Sequence, residues 1–315
     1  MAGDARTLPA LPPLGRLIAR AALTAGARPG PDAGLPSRSV EVAAHMQDVE
    51  RLAAYDRLCG FPLSDRVPAT WLHVLTFPLQ AYLMVQRDFP FALPGLVHVR
   101  NDMTLHRPVG ATEPLRLLVR AENVTPHRRG HLFDMVGSVL VGDELAWSGR
   151  STYLSRRGDA RHRDAGRPGA SLRDPGRDTD RRGTGSQDGG TPAGQVPGLP
   201  AACQQWRLPA DLGRRYAAVS GDTNPLHLYP LTARPFGFRR PIIHGMWTHA
   251  RALAALGGQL GPTYRATVSF TKPILLPAQV GFGVTPAAEG FSFAVLDAAG
   301  GRPHLLGEVR PDGRG

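Results

Sequence analysis

Residues 216–246 read YAAVSGDTNPLHLYPLTARPFGFRRPIIHGM, with an aspartate, an asparagine, a proline and a histidine inside six positions. Ser220-Gly221-Asp222 ends a helix in a glycine turn. Asn224-Pro225 favours a turn and blocks re-entry into helix. Asp222 and His227 therefore stand on an irregular loop, where side chains five apart can converge on one point. His244-Gly245-Met246 then opens an apolar run, so Gly245 lies at a helix start, where free N–H groups and the helix dipole favour negative charge. A carboxylate and an imidazole sharing one water can take and return a proton. A helix N-terminus beside them can stabilise a developing oxyanion, and glycine there lets a carbonyl come close.

The segment SGDTNPLH (220–227), followed by GFRRPIIHGM (237–246), resembles the signature of the MaoC-like (R)-specific enoyl-thioester hydratases and dehydratases. Asp222, Asn224, Pro225 and His227 match its spacing, as do Ala233, Gly237, Pro241, His244, Gly245 and Met246. The resemblance implies a lyase of lipid metabolism that interconverts trans-2-enoyl and (R)-3-hydroxyacyl thioesters, with no metal and no cofactor. Asp222 and His227 would activate the water and Gly245 would stabilise the enolate. Ser220, Asn224, His244, Met246 and Lys272 would border the substrate, an acyl-CoA or acyl carrier protein thioester. Asn224 is expected to hold the loop by hydrogen bonds to the backbone. Ser220 caps or orients Asp222. His244 either packs as a core histidine or shapes the pocket. Lys272, Arg239 and Arg240 either meet carrier phosphates or form a solvated face. Two positions depart from the pattern. Tyr229 stands where members often carry Asp or Asn, and the helix positions that often supply a serine to the aspartate read Ala250 and Leu253, with Thr248 or His249 as substitutes.

The motif occurs once, but the chain repeats. Residues 74–108 align with 239–273 at a constant spacing of 165, so Met103, Leu105 and Pro108 fall on Val268, Phe270 and Pro273. AYDRLCG (54–60) also matches RYAAVSG (215–221). At the 165 spacing Gln80-Ala81 stands opposite Gly245-Met246, and Asp65 and His73 lack the motif's separation. Each half reads as a first helix (VEVAAHMQDVERLAAYDRLCG; PADLGRRYAAVSG), then an apolar helix (LTFPLQAYLMVQ; GMWTHARALAALGG), then alternating strands. A helix apolar nearly all round should be buried on most sides. The expected fold is α+β, an antiparallel sheet wrapped around a buried helix, present twice: a double hot-dog. Residues 1–38 read as an extension with an amphipathic helix over LGRLIARAALTAGA. Residues 39–155 are expected to form a degenerate, non-catalytic half that shapes the acyl channel, and 201–310 the catalytic half. Between them, 156–200 has almost no large apolar residues and is expected to be a disordered linker.

Composition narrows the classes further. The 315 residues carry a formal charge of +11, yet Lys272 is the only lysine and many arginines fall in the linker. That pattern follows GC-rich codon usage and argues against nucleic acid as partner. Cys59 and Cys203 form no CxxC or Cys/His cluster, which fits free thiols in a reducing cytoplasm. No apolar run reaches the ~18 residues of a membrane span, and the proline-broken N-terminus does not read as a signal peptide. The chain is expected to be a monomer with a dimer-like core, or a homodimer. Two rival readings stand beside the hydratase: a hot-dog thioesterase, and a catalytically weak acyl-thioester-binding or scaffolding subunit.

Overall fold

The structure, a computed structural model, describes residues 5–24, 26, 28–156 and 198–312. The expected linker lies outside them except for Arg156 and residues 198–200. The first half runs β2 (Ser39–His45), α2 (Val49–Cys59), α3 (Ala69–Met84), β3 (Val97–Leu105), β4 (Leu115–His127), β5 (Gly130–Val141) and β6 (Glu144–Arg156). The second runs β7 (Ala202–Leu208), α4 (Leu212–Ser220), a 3-10 turn (Pro225–His227), α5 (Pro230–Ala233), α6 (Gly245–Leu256), β8 (Tyr264–Phe270), β9 (Ala278–Pro286), β10 (Phe291–Asp297) and β11 (Pro303–Pro311). Ahead of both come β1 (Ala5–Thr7) and α1 (Leu14–Thr24).

Among the described residues one sheet joins every strand, in the order β1-β2-β4-β5-β6-β3-β8-β11-β10-β9-β7. Without β1 the order is the same from either end, because β2-β4-β5-β6-β3 corresponds to β7-β9-β10-β11-β8. The halves meet through antiparallel β3 and β8, where Asp102 pairs with Thr267. Those residues are separated by the repeat spacing of 165, so each faces its own counterpart, as at the two-fold axis of a symmetric dimer. Thr267 donates its hydroxyl to Asp102 Oδ1 at 2.5 Å. The helices keep the same symmetry. α2 and α4 end on left-handed Gly60 and Gly221, and the rings of the counterparts Tyr55 and Tyr216 pack 6.1 Å apart. In α3 all residues but Phe77 and Tyr82 are buried, with β2 to β6 wrapped about it, while α6 packs against β10, α2 and α3. The fold is the expected α+β double hot-dog.

Three local expectations change. Residues 39–45 form a strand rather than the start of a helix. Val40 and Val42 point into the core and pair with Val119 and Leu117, and α2 begins only after Asp48, whose side chain accepts the Arg51 N–H at 2.9 Å. The 165 spacing also fails to carry back across the helix-to-strand connection, which spans 85–96 in the first half and 257–263 in the second. Counted from the first residue of each helix, the counterpart of Gly245 is Ala69, and Trp71 and His73 match Trp247 and His249. Gln80 and Ala81 lie in the last turns of α3 instead, and Ala81 packs with Leu14, Leu17, Ala21 and Val85 beneath α1. The segment read as an extension also joins the first half. β1 pairs in parallel with β2, and α1 packs on α3.

Candidate active site

The loop after α4 is built from side chains that replace the helix Pro225 forbids. Ser220 Oγ accepts the Asp222 N–H at 3.2 Å, Asp222 Oδ1 accepts the Asn224 N–H at 3.2 Å, and Asn224 Oδ1 accepts the Leu226 N–H at 3.4 Å. These nested turns use the short polar side chains that compete best with helix. Thr232 donates to the Pro225 carbonyl at 2.6 Å and so ties α5 to the loop.

The segment 241–243 is fastened to 274–276 by main-chain bonds from Ile243 to Ile274 and from Leu276 to Pro241. It presents the Ile242 carbonyl to His227, whose Nδ1 donates to it at 2.8 Å. A carbonyl can only accept, so the proton is on Nδ1 and the lone pair is left on Nε2. His244, only 3% exposed, donates Nε2–H to the Asp222 carbonyl at 3.0 Å and stands 3.8 Å from Asp222 Oδ2. Its ring lies 3.6 Å from that of His227 and 4.8 Å from that of Tyr216. Nδ1 of His244 is buried without a partner.

Donor atoms of Asp222, His227 and His244 all lie within 4.8 Å of one another. Three such donors are close enough to chelate a divalent cation, but two of the four ring nitrogens are committed to carbonyls. Burial raises the Asp222 carboxyl above its ordinary range, opposed by His227 and the Asn224 N–H. Burial, and then the neighbouring His244, draw His227 down to about 3, and burial draws His244 down to about 4. Both imidazoles are neutral at pH 7, so each ring offers one donor and one acceptor.

Gly245 opens α6 directly after His244. Among the described residues, no acceptor meets the Gly245 or Met246 N–H. A Cβ on Gly245 would stand 2.9 Å from Phe270 Cε1, so this close approach requires glycine. Phe270 packs 5.0 Å from the His98 ring, which stacks 4.8 Å from that of Tyr153. The first half thus reaches the site through residues that no motif marks. Tyr153 is pushed up by burial and next by the Asp222 charge.

Ser220, Asp222, Asn224, His227, His244 and Gly245 come together. Met246 is a core residue, 8% exposed. Lys272 is exposed beyond β8, and among the described residues its side chain makes no hydrogen bond or ion pair. Arg239 is exposed, and Arg240 bonds the Pro277 carbonyl at 3.3 Å. Tyr229 points to solvent. The Thr248 hydroxyl turns to the His244 carbonyl at 3.5 Å, so neither it nor Ala250 supplies the missing serine. Asp222 is held by His244 and Ser220 instead. The histidine just before the helix-opening glycine, His244, was the available signal for that support.

The family profile described as MaoC like domain matches residues 191–287. The chain is 36% identical over 276 residues to 3-hydroxyacyl-thioester dehydratase X of Mycobacterium tuberculosis, covering 88% of this chain and 90% of that protein. It is 39% identical over 74 residues to the (R)-specific enoyl-CoA hydratase of Aeromonas caviae, covering 24% of this chain and 55% of that one. The crystal structure of HtdX of M. tuberculosis superposes with a TM-score of 0.70 at 34% identity, over 87% of this chain and 100% of that chain. On the motif, the double hot-dog and this likeness across both halves, the chain belongs to the MaoC-like dehydratase family.

Proposed function

We propose that the protein interconverts trans-2-enoyl and (R)-3-hydroxyacyl thioesters by reversible addition of water, with the reaction carried by the second half. The observation that supports this most is the pairing of two acceptors on one loop. The Asp222 carboxylate and the bare Nε2 of neutral His227 can receive both protons of a single water, leaving its oxygen lone pair free to attack C3. As the C3–O bond forms, one acceptor takes a water proton and the C2=C3 electrons move toward the thioester carbonyl. The free N–H groups of Gly245 and Met246 at the start of α6 would stabilise that enolate oxygen. Return of the proton to C2 completes the product, so hydroxyl and hydrogen add across the double bond with no net proton change. Dehydration is the same path reversed.

The first half has no equivalent of Asp222 or His227, and its share of the site is the aromatic wall of His98 and Tyr153. No helix among the described residues is long and apolar enough to cross a membrane, and an acyl thioester fits a substrate met in water. The test is spectrophotometric, with crotonyl-CoA and a longer enoyl-CoA. Loss of enoyl absorbance without release of free thiol supports the hydratase. Release of thiol identifies a thioesterase, and binding with neither change identifies a scaffold.

A further inference from the structure

The catalytic loop runs out onto an exposed apolar surface. Tyr229 and Leu231, two and four residues past His227, are 51% and 73% exposed, and Leu231 is the most exposed large hydrophobic side chain among the described residues. With Pro230, Thr232 and Arg234 they line a shallow depression of 490 Å³. Arg234 lines it and Arg214 borders it, and three more arginines follow close by in the sequence. Arg214 lies 4.8 Å over the Tyr229 ring and donates to the Leu228 carbonyl at 3.0 Å. Arg215, Arg234 and Arg239 are exposed, and Arg240 follows on the same loop. Among the described residues none of these five meets a carboxylate, whereas Arg107, Arg116, Arg120 and Arg150 of the first half all do. The sequence accounts for the difference, because no Asp or Glu occurs between Asp222 and Glu289.

We propose that this face docks an acidic carrier protein that presents the acyl chain on a phosphopantetheine arm. The proposal rests on the thioester chemistry above and names the carrier it uses. An apolar centre under Tyr and Leu beside arginines that meet no carboxylate has the layout of a protein interface, in which Tyr and Arg are enriched. Guanidinium groups without carboxylate neighbours steer an acidic partner and resist a basic one. Coenzyme A alone would engage the arginines through its phosphates and leave Leu231 in water. Position agrees as well. Adjacent Cα atoms are ~3.8 Å apart, so Tyr229 lies within about 8 Å of His227 along the chain, well inside the reach of a phosphopantetheine arm.

The test compares the full chain with two variants, Arg215→Glu/Arg234→Glu and Leu231→Asp, none of which alters Asp222, His227, His244 or Gly245. Binding of the holo acyl carrier protein of a bacterial fatty acid synthase is measured by calorimetry at low and at physiological salt, and hydration rates are measured on crotonyl-CoA and on the crotonyl carrier protein. The expected result is salt-sensitive binding that each variant weakens by about tenfold or more. Turnover of the crotonyl carrier protein falls with it, while crotonyl-CoA turnover and the melting temperature hold within twofold and a few degrees. Absent carrier binding, or equal binding by wild type and variants, overturns the proposal. A parallel loss on both substrates also overturns it, since the arginines would then serve CoA phosphates. If the wild type binds the carrier, and the variants do not, but neither thioester is hydrated, the docking surface stands and the proposed reaction falls.

Discussion

His244 donates its Nε2–H to the main-chain carbonyl of Asp222 at 3.0 Å while its ring lies 3.6 Å from that of His227. One buried side chain therefore touches both residues of the water-holding pair, and it does so from the residue that caps α6. Loop, helix start and base are positioned together.

Asp222→Asn and His227→Ala should each leave the fold intact and lower kcat by roughly 10²–10⁴-fold, the range of a single acid–base group. The double variant should cost far less than the product of the two, because both act on one water. Steady-state kinetics on crotonyl-CoA decide this. A variant that retains more than half the wild-type rate removes its residue from the chemistry.

His244→Ala should lower kcat by about tenfold to a hundredfold with little change in KM, the effect expected when catalytic groups drift by about an ångström. His244→Gln, whose Nε2 amide can donate to the same carbonyl, should recover part of the loss. A role confined to packing would instead show equal losses in both variants, tracking the melting temperature.

Much of this was legible in the residues, and the boundary has physical causes. Asp222, Asn224, Pro225 and His227 announce themselves because the loop is made by local hydrogen bonds from short side chains, and local bonds leave a local pattern. The pairing of Asp102 with Thr267 was present in the 165 spacing, since a strand at a pseudo-two-fold axis must repeat in register. Helix register was not legible. A connection can lengthen at little cost in loop entropy, so the longer connection of the first half (85–96 against 257–263), together with an α3 longer than α6, moved Gly245's counterpart from Gln80 to Ala69. The shared Trp-x-His of Trp71/His73 and Trp247/His249 was the better guide. β2 was misread because the alternation of Val40 and Val42 is short and runs straight into the helix of 49–59, and only its pairing with β4 sets it apart. His98 and Tyr153 reach the site only through long-range packing, which no local spacing encodes.

Stability should fall in mild acid, and the two counterpart histidines should carry part of the fall. His73 and His249 are 4% and 0% exposed. Burial brings His73 down to about 4, and burial followed by His73 brings His249 down to about 3. Below the ordinary histidine range the unfolded chain binds protons that the folded chain refuses. Their contribution is thus present above pH 6.5 and is lost as pH drops toward 3–4. Between pH 7 and pH 5 each should remove about 2 kcal/mol. Urea unfolding at both pH values, in wild type and in His249→Leu, measures it. An unchanged pH difference in the variant sinks the assignment.

Gly245 stands between two demands, and one suppressor can separate them. A methyl group there would be 2.9 Å from Phe270 Cε1 and 3.0 Å from Cδ1, and Phe270 is itself backed by His98 at 5.0 Å. Gly245→Ala should therefore overpack the junction of α6 and β8 and destabilise by about 1–3 kcal/mol. It should also lower kcat/KM, because the added methyl crowds the helix end whose N–H groups face the enolate oxygen. Phe270→Leu removes the ring edge that the methyl meets. In the double variant Gly245→Ala/Phe270→Leu the melting temperature should return most of the way to that of Phe270→Leu alone. Activity should stay low, because the methyl still stands where the thioester carbonyl must approach. Thermal unfolding beside kcat/KM on crotonyl-CoA reads both quantities from the same preparations. If the double variant recovers activity along with stability, Gly245 serves packing against Phe270 alone, and the oxyanion must be stabilised by other donors.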